Sequence, residues 1–247
     1  MLNWKLTIAY DGSEYFGWQK SPSKPTIEGT LEGVLATILQ ENISLQAASR
    51  TDKGVHAKSQ CVNFFTKSSF DVGKVLCSAN RLLPGTIRAL SLEEAKSTFH
   101  PSLDAVTKTY LYQVYVGKVL YPHERFFYWH CPKAITQEVE EAFPLLIGEK
   151  TFAAFSTDTY DSPICTLKEI TVKKEGDYWF FRLQGNRFLY KMVRAIVGTL
   201  MGFAQGAFSL ADIERLFVEP KRAHAGVSAP GRGLFLETID YKEEQSV

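Results

Sequence analysis

Between Trp4 and Ala89 the spacing of apolar residues alternates between two and about 3.6, and this succession restricts the fold more than any single motif. Trp4, Leu6, Ile8 and Tyr10 alternate with Lys5, Thr7 and Ala9, the period of a strand with one buried face. After an Asp11-Gly12 turn and a Pro-rich loop, Thr26 stands as an N-cap before Ile27, Leu31, Val34, Leu35 and Ile38 on one helical face. Ile43 to Ala48 and Ser59 to Phe65 read as strands. Val72, Val75, Leu76, Ala79 and Leu83 read as a second helix, stopped by Pro84-Gly85, and Ile87 with Ala89 as a short strand. The order β, α, β, β, α, β belongs to a ferredoxin-like arrangement, with helices on one face of an antiparallel sheet.

A second start follows Phe99-His100-Pro101. Tyr110, Tyr112, Val114 and Val116 share one side of a strand from Lys108 to Val116, and a helix is expected around Val139, Ala142, Phe143 and Leu146. A polar loop spans 156–162, with strands near 167–172 and 178–183. Leu189, Met192, Val193, Ile196, Val197 and Leu200 form the most regular apolar stripe, while Arg187, Lys191 and Arg194 recur at four and three residues on another face of that helix. Ser209-Leu210-Ala211-Asp212 has the form of a capping box, and 234–239 closes as a strand. The second half repeats the first in element order, without a sequence repeat. The fold expected is α+β: two ferredoxin-like halves, 1–104 and 105–247, forming a central, mostly antiparallel sheet with flanking helices and an active-site cleft between the halves.

With 247 residues and 45% hydrophobic content the chain can fill a sizeable core, which argues against disorder. A net charge of +1 neither supports nor excludes a polyanionic partner, so any nucleic-acid surface must come from clusters among the 28 Lys and Arg. Cys61, Cys77, Cys131 and Cys165 are scattered, which argues against a zinc site and for free thiols in a reducing compartment. No signal peptide and no membrane-length apolar run are read, so a cytoplasmic protein is expected.

The stretch Ser49-Arg50-Thr51-Asp52-Lys53-Gly54-Val55-His56-Ala57 concentrates charge around a glycine turn. It fits a catalytic loop; it also fits an ordinary charged hairpin, and spacing alone favours the hairpin. Asp52 gains a functional reading if it is desolvated against a second cation, for which Arg194 is the candidate, although a surface arginine on a helix reads equally well. Tyr110 and Tyr112 are core residues of a strand, or one of them stacks on a base. Tyr15-Phe16-Gly17-Trp18-Gln19-Lys20 sets aromatic faces beside basic groups, which suits unpaired bases, though aromatics are more often core. His56 and His100 read as structural.

Four blocks together resemble the tRNA pseudouridine synthases of the TruA type over nearly the whole chain. They are Tyr10-Asp11-Gly12 with Gly17-Trp18-Gln19, the 50–57 block, Lys108-Thr109-Tyr110-Leu111-Tyr112, and 188–198, followed by Ala229-Pro230 and Gly233-Leu234-Phe235-Leu236. The resemblance implies that Asp52 is the catalytic aspartate, that Arg50 helps hold the target nucleotide out of the stack and that Tyr110 stacks on the uracil. It further implies that Arg194 pairs with Asp52 and that Leu234 lines the pocket. A homodimer acting without cofactor or metal on uridines 38 to 40 of the tRNA anticodon stem-loop is also implied. Lys20, Lys24, Arg187, Lys191, Lys221 and Arg222 are the candidates for tracking its phosphates. Ser49 stands where such blocks usually carry Gly, and Ser102 and Cys165 where many carry Arg. Two rival readings remain: an RNA-binding module without activity, and a hydrolase of N-glycosides using Asp52 as nucleophile.

Overall fold

The computed structural model describes residues 1–242. In chain order its elements are β1 (Leu2–Tyr10), α1 (Ile27–Leu39), β2 (Gln46–Ala47), β3 (His56–Thr66), α2 (Val72–Leu82), β4 (Ile87–Ala95), β5 (Ala105–Tyr115), β6 (Trp129–His130), α3 (Phe143–Leu146), β7 (Gly148–Thr151), β8 (Ile164–Glu175), β9 (Tyr178–Gly185), α4 (Met192–Ala204), α5 (Leu210–Val218) and β10 (Leu234–Tyr241). They form two compact units, Met1–Val106 with the strand from Phe235 on, and Thr107–Leu234. Both units are α+β.

In the first unit β4, β1 and β3 pair antiparallel in that order. The other edge of β3 is shared: β2 pairs antiparallel at Val62 and Asn63, and β10 pairs parallel at His56 and Ala57. The alternation along β1 does what its period predicts, since Trp4, Leu6, Ile8 and Tyr10 are all buried. Each contributes about 1.5–3 kcal/mol by leaving water. Thr26 caps α1 by accepting the Gly29 N–H, and Ile27, Leu31 and Leu35 are its buried residues of the expected stripe. Asp71 caps α2, which buries Val75 and Ala79.

In the second unit β5, β9, β8 and β7 pair antiparallel in that order, with β6 parallel to the end of β5. Tyr110, Tyr112 and Val114 are buried along β5 as their spacing predicts. The capping box at Ser209 is complete: its side chain accepts the Asp212 N–H, and the Asp212 carboxylate takes the Ser209 N–H.

Several expectations are corrected. The strand expected over 43–48 shrinks to Gln46–Ala47, because the Leu45 N–H goes to the Glu32 carboxylate instead of to a neighbouring strand. The helix expected around 139–146 is a 3-10 turn followed by the four-residue α3, since Pro144 has no N–H with which to continue the ladder. α4 begins at Met192, so Arg187 and Lys191 do not share a helix face with Arg194. Lys191 adopts a left-handed φ of 61° at the N-cap, which breaks the regular stripe before it starts. Eleven of the thirteen residues of α4 are buried, so it is a core helix. The two short strands β6 and β7 have no counterpart in the sequence reading.

Candidate active site

Asp52 sits in a turn closed by the Val55 N–H donating to the Asp52 carbonyl, with Gly54 at φ 73°. This turn does not hang free as a hairpin tip. The Trp18 N–H donates to the Thr51 carbonyl at 2.9 Å, and the Tyr10 and Thr51 hydroxyls hydrogen-bond at 2.8 Å in a buried setting. Upstream, Gln60 of β3 donates its side-chain amide to the Ser49 carbonyl at 2.6 Å. Gly17, at φ 98°, lies so close that a Cβ there would stand 2.7 Å from the Thr51 carbonyl oxygen and 3.1 Å from the Asp52 carbonyl carbon. Strand β1, the 15–18 segment and β3 therefore all grip residues 49–55. Asp52 emerges half-buried and Arg50 exposed.

His56 is fully buried and stacks on Phe235 with ring centroids 4.5 Å apart. Its Nδ1 accepts the Gly12 N–H at 3.1 Å, which requires that nitrogen to carry no proton. The Asp11 carboxylate also lies 3.1 Å from Nδ1 and accepts the N–H and hydroxyl of Ser13. His100 accepts the Ser102 and Leu103 N–H groups. Both histidines thus serve to shape loops.

In the second unit Tyr110 is buried and meets Phe188 edge-on at 5.0 Å. Lys108, two residues earlier on the same side of β5, is also buried. Burial, with the Arg187 charge as a second cause, depresses its ammonium to a pKa of about 8. Tyr112 donates its hydroxyl to the Pro230 carbonyl at 2.6 Å. Burial drives this phenol far up, against the opposing pull of Arg194 and Arg232. Arg194 is half-buried; its Nε donates to the Ala229 carbonyl at 2.6 Å while the Ala229 N–H returns a bond to the Arg194 carbonyl. The 226–229 segment can lie this close because residue 198 is glycine: a Cβ there would overlap the Val227 carbonyl oxygen. Leu234 is buried at the start of β10.

The expected basic residues differ in what they offer. Arg187 and Lys221 are exposed, and Lys191 is half-buried with its ammonium 4.8 Å from the Tyr190 ring. Lys20 donates to the Glu32 carboxylate at 2.8 Å. Arg222 turns inward on its own loop, donating to the carbonyls of Ala225 and Gly226 and to the Ser228 hydroxyl.

Sequence reasoning missed Gln60, Lys108 and the Tyr10–Thr51 bond. Gln60 and Lys108 did carry a signal, a polar side chain on the apolar face of a strand. The hydroxyl pair carried none, because its partners are 41 residues apart.

Known proteins resemble this chain over most of its length. The tRNA pseudouridine synthase family model matches residues 6–101 and 142–242. tRNA pseudouridine synthase A 2 of Protochlamydia amoebophila is 46% identical over 248 residues, covering 98% of this chain and 95% of the relative. tRNA pseudouridine synthase A of Methylacidiphilum infernorum is 34% identical over 99% of this chain and 98% of its own length, and that of Pelobacter propionicus 36% over 96% and 98%. A match of this extent, over a chain that carries the Arg50-Thr51-Asp52 block in a loop held by β1, the 15–18 segment and β3, places it in the tRNA pseudouridine synthase family.

Proposed function

We propose that this protein isomerises uridine to pseudouridine at nucleotides 38 to 40 of the tRNA anticodon stem-loop, with Asp52 as the catalytic carboxylate. Isomerisation of tRNA uridine is the activity of the family to which it belongs. Uracil must leave C1′, turn, and rejoin through C5, so the site needs a carboxylate, a grip on the freed base and the exclusion of water. Arg50 holds the extruded nucleotide out of the stack, which offsets an unstacking cost of a few kcal/mol. Tyr110 stacks on the uracil, Leu234 lines the pocket, and Arg194 pairs with Asp52.

The observation that most supports this reading is the bracing of the Asp52 turn by Tyr10, Gly17, Trp18 and Gln60. A solvated charged hairpin has no use for such bracing, whereas a reacting carboxylate must be held within a fraction of an ångström. Arg187, Lys191 and Lys221 offer charge to the RNA backbone directly. Lys20 shares its charge with Glu32, and Arg222 acts chiefly by shaping the loop that carries Lys221. The protein works in the cytoplasm as a homodimer, which doubles these patches while each chain stays near neutral at +1. No helix among the described residues is long and apolar enough to cross a membrane.

The test is incubation with unmodified tRNA, measuring pseudouridine and free uracil, with Asp52→Ala as control. Pseudouridine without free uracil, lost in the variant, is the expected result. Free uracil would identify an N-glycoside hydrolase, and binding without product an inactive module; no pseudouridine from any tRNA sinks the reading.

A further inference from the structure

The aromatic segment beside the Asp52 turn divides sharply by exposure. Tyr15 and Trp18 are 6% and 1% exposed, and Phe16 between them is 42% exposed. Backbone bonds fix that outward position: the Phe16 N–H donates to the Pro25 carbonyl and the Trp18 N–H to the Thr51 carbonyl, each at 2.9 Å. Two ammonium groups lie over the Phe16 ring, Lys53 Nζ at 4.3 Å and Lys24 Nζ at 4.5 Å from its centroid. The two like charges are therefore no more than about 9 Å apart, both on exposed side chains, and Lys53 directly follows Asp52 in the chain. An exposed aromatic face flanked by paired cations is what a single nucleic-acid strand requires: the ring for a base, the charges for its phosphates.

We propose that Phe16, Lys24 and Lys53 form a platform for an unpaired base of the tRNA loop near the target uridine, with Phe16 stacked on the base and the lysines on the adjoining phosphates. The proposal rests on the tRNA-uridine reading above. The competition at the ring favours the base. An exposed ammonium–ring contact is worth about two- to fivefold in affinity, whereas a stacked base is worth about 5- to 150-fold when the aromatic is cut to alanine. The base displaces a lysine, and the freed ammonium stays beside the phosphate next to that base. Since every base has a π-face, the platform grips the loop without demanding one particular sequence.

The assay is steady-state pseudouridine formation on an unmodified stem-loop RNA. Phe16→Ala is expected to raise KM about tenfold or more with kcat within about threefold, while Phe16→Tyr and Phe16→Trp keep KM within about threefold of wild type. Abasic nucleotides placed one at a time through the unpaired loop then locate the partner: at one position the lesion raises the wild-type KM and leaves that of Phe16→Ala unchanged. Lys24→Ala and Lys53→Ala each reduce the salt slope of RNA binding by about one. A Phe16→Ala KM within twofold of wild type, or additive effects at every abasic position, overturns the platform while leaving the activity of the wild type intact. Absence of pseudouridine from the wild type removes the reading on which the platform rests.

Discussion

Replacing Gly17 by alanine tests whether the Asp52 turn is held as tightly as its contacts imply. At φ 98° a residue with a side chain is strained by about 1–3 kcal/mol. The new Cβ would also stand 2.7 Å from the Thr51 carbonyl oxygen, a backbone atom that cannot swing aside as a side chain would. Relief requires the turn to retreat by roughly half an ångström, at a cost comparable to ordinary overpacking, about 1–3 kcal/mol. Together these give about 2–6 kcal/mol, or a Tm lower by about 4–24 °C for a chain of this size. Because a 1 Å misplacement of a reacting group costs on the order of a hundredfold, the same retreat should lower kcat about tenfold. Gly33→Ala is the matched control. Gly33 lies within α1, has nothing within 4 Å of its missing Cβ, and should gain up to about 1 kcal/mol from helix propensity with kcat unchanged. Thermal melts and single-turnover pseudouridine formation, measured where both variants are folded, decide the matter. A Gly17→Ala protein with wild-type Tm and kcat would refute the reasoning, and so would one whose activity loss equals its unfolded fraction.

Three further outcomes are expected. Lys108 titrates near 8 in the folded chain and near 10.5 when unfolded, so the unfolded chain binds more protons between those values and stability rises with pH across that window. The full rise is on the order of 3 kcal/mol, about 2 kcal/mol of it between pH 8 and 10, and urea melts at those two pH values should show it flattened in Lys108→Met. Arg222→Ala should cost about 1–2 kcal/mol in urea melts by releasing the 225–228 loop, yet leave the salt slope of tRNA binding nearly unchanged; Lys221→Ala should do the reverse, lowering the slope by about one. Ser209→Ala should cost about 1 kcal/mol by opening the capping box of α5, read as a lower Tm with kcat unaffected.

The elements most legible in the sequence were those whose stabilisation is local or periodic. The alternation of Trp4 to Tyr10, the Thr26 cap and the Ser209 capping box each depend on neighbours a few residues away, and each stands where it was expected. The helix with Arg187, Lys191 and Arg194 on one face failed because periodicity does not sense the positive φ at Lys191. The strand over 43–48 failed because a carboxylate on α1, distant in sequence, takes the backbone donor that a ladder would have used.

For the candidate site the division is similar. By itself the sequence determined the order of the blocks, the family they resemble and the residue types available for chemistry: Asp52, Arg50, Tyr110, Arg194 and Leu234. Tertiary structure decided which of the surrounding groups are held and which are offered. Tyr15 and Trp18 went inward and Phe16 outward, Arg222 turned onto its own loop, and Gln60 and Tyr10 reached from β3 and β1 to steady residues 49–51 before Asp52. The physical reason is that burial and hydrogen-bond partnership depend on residues far apart in the chain, 41 positions for the Tyr10–Thr51 bond, so no local pattern encodes them.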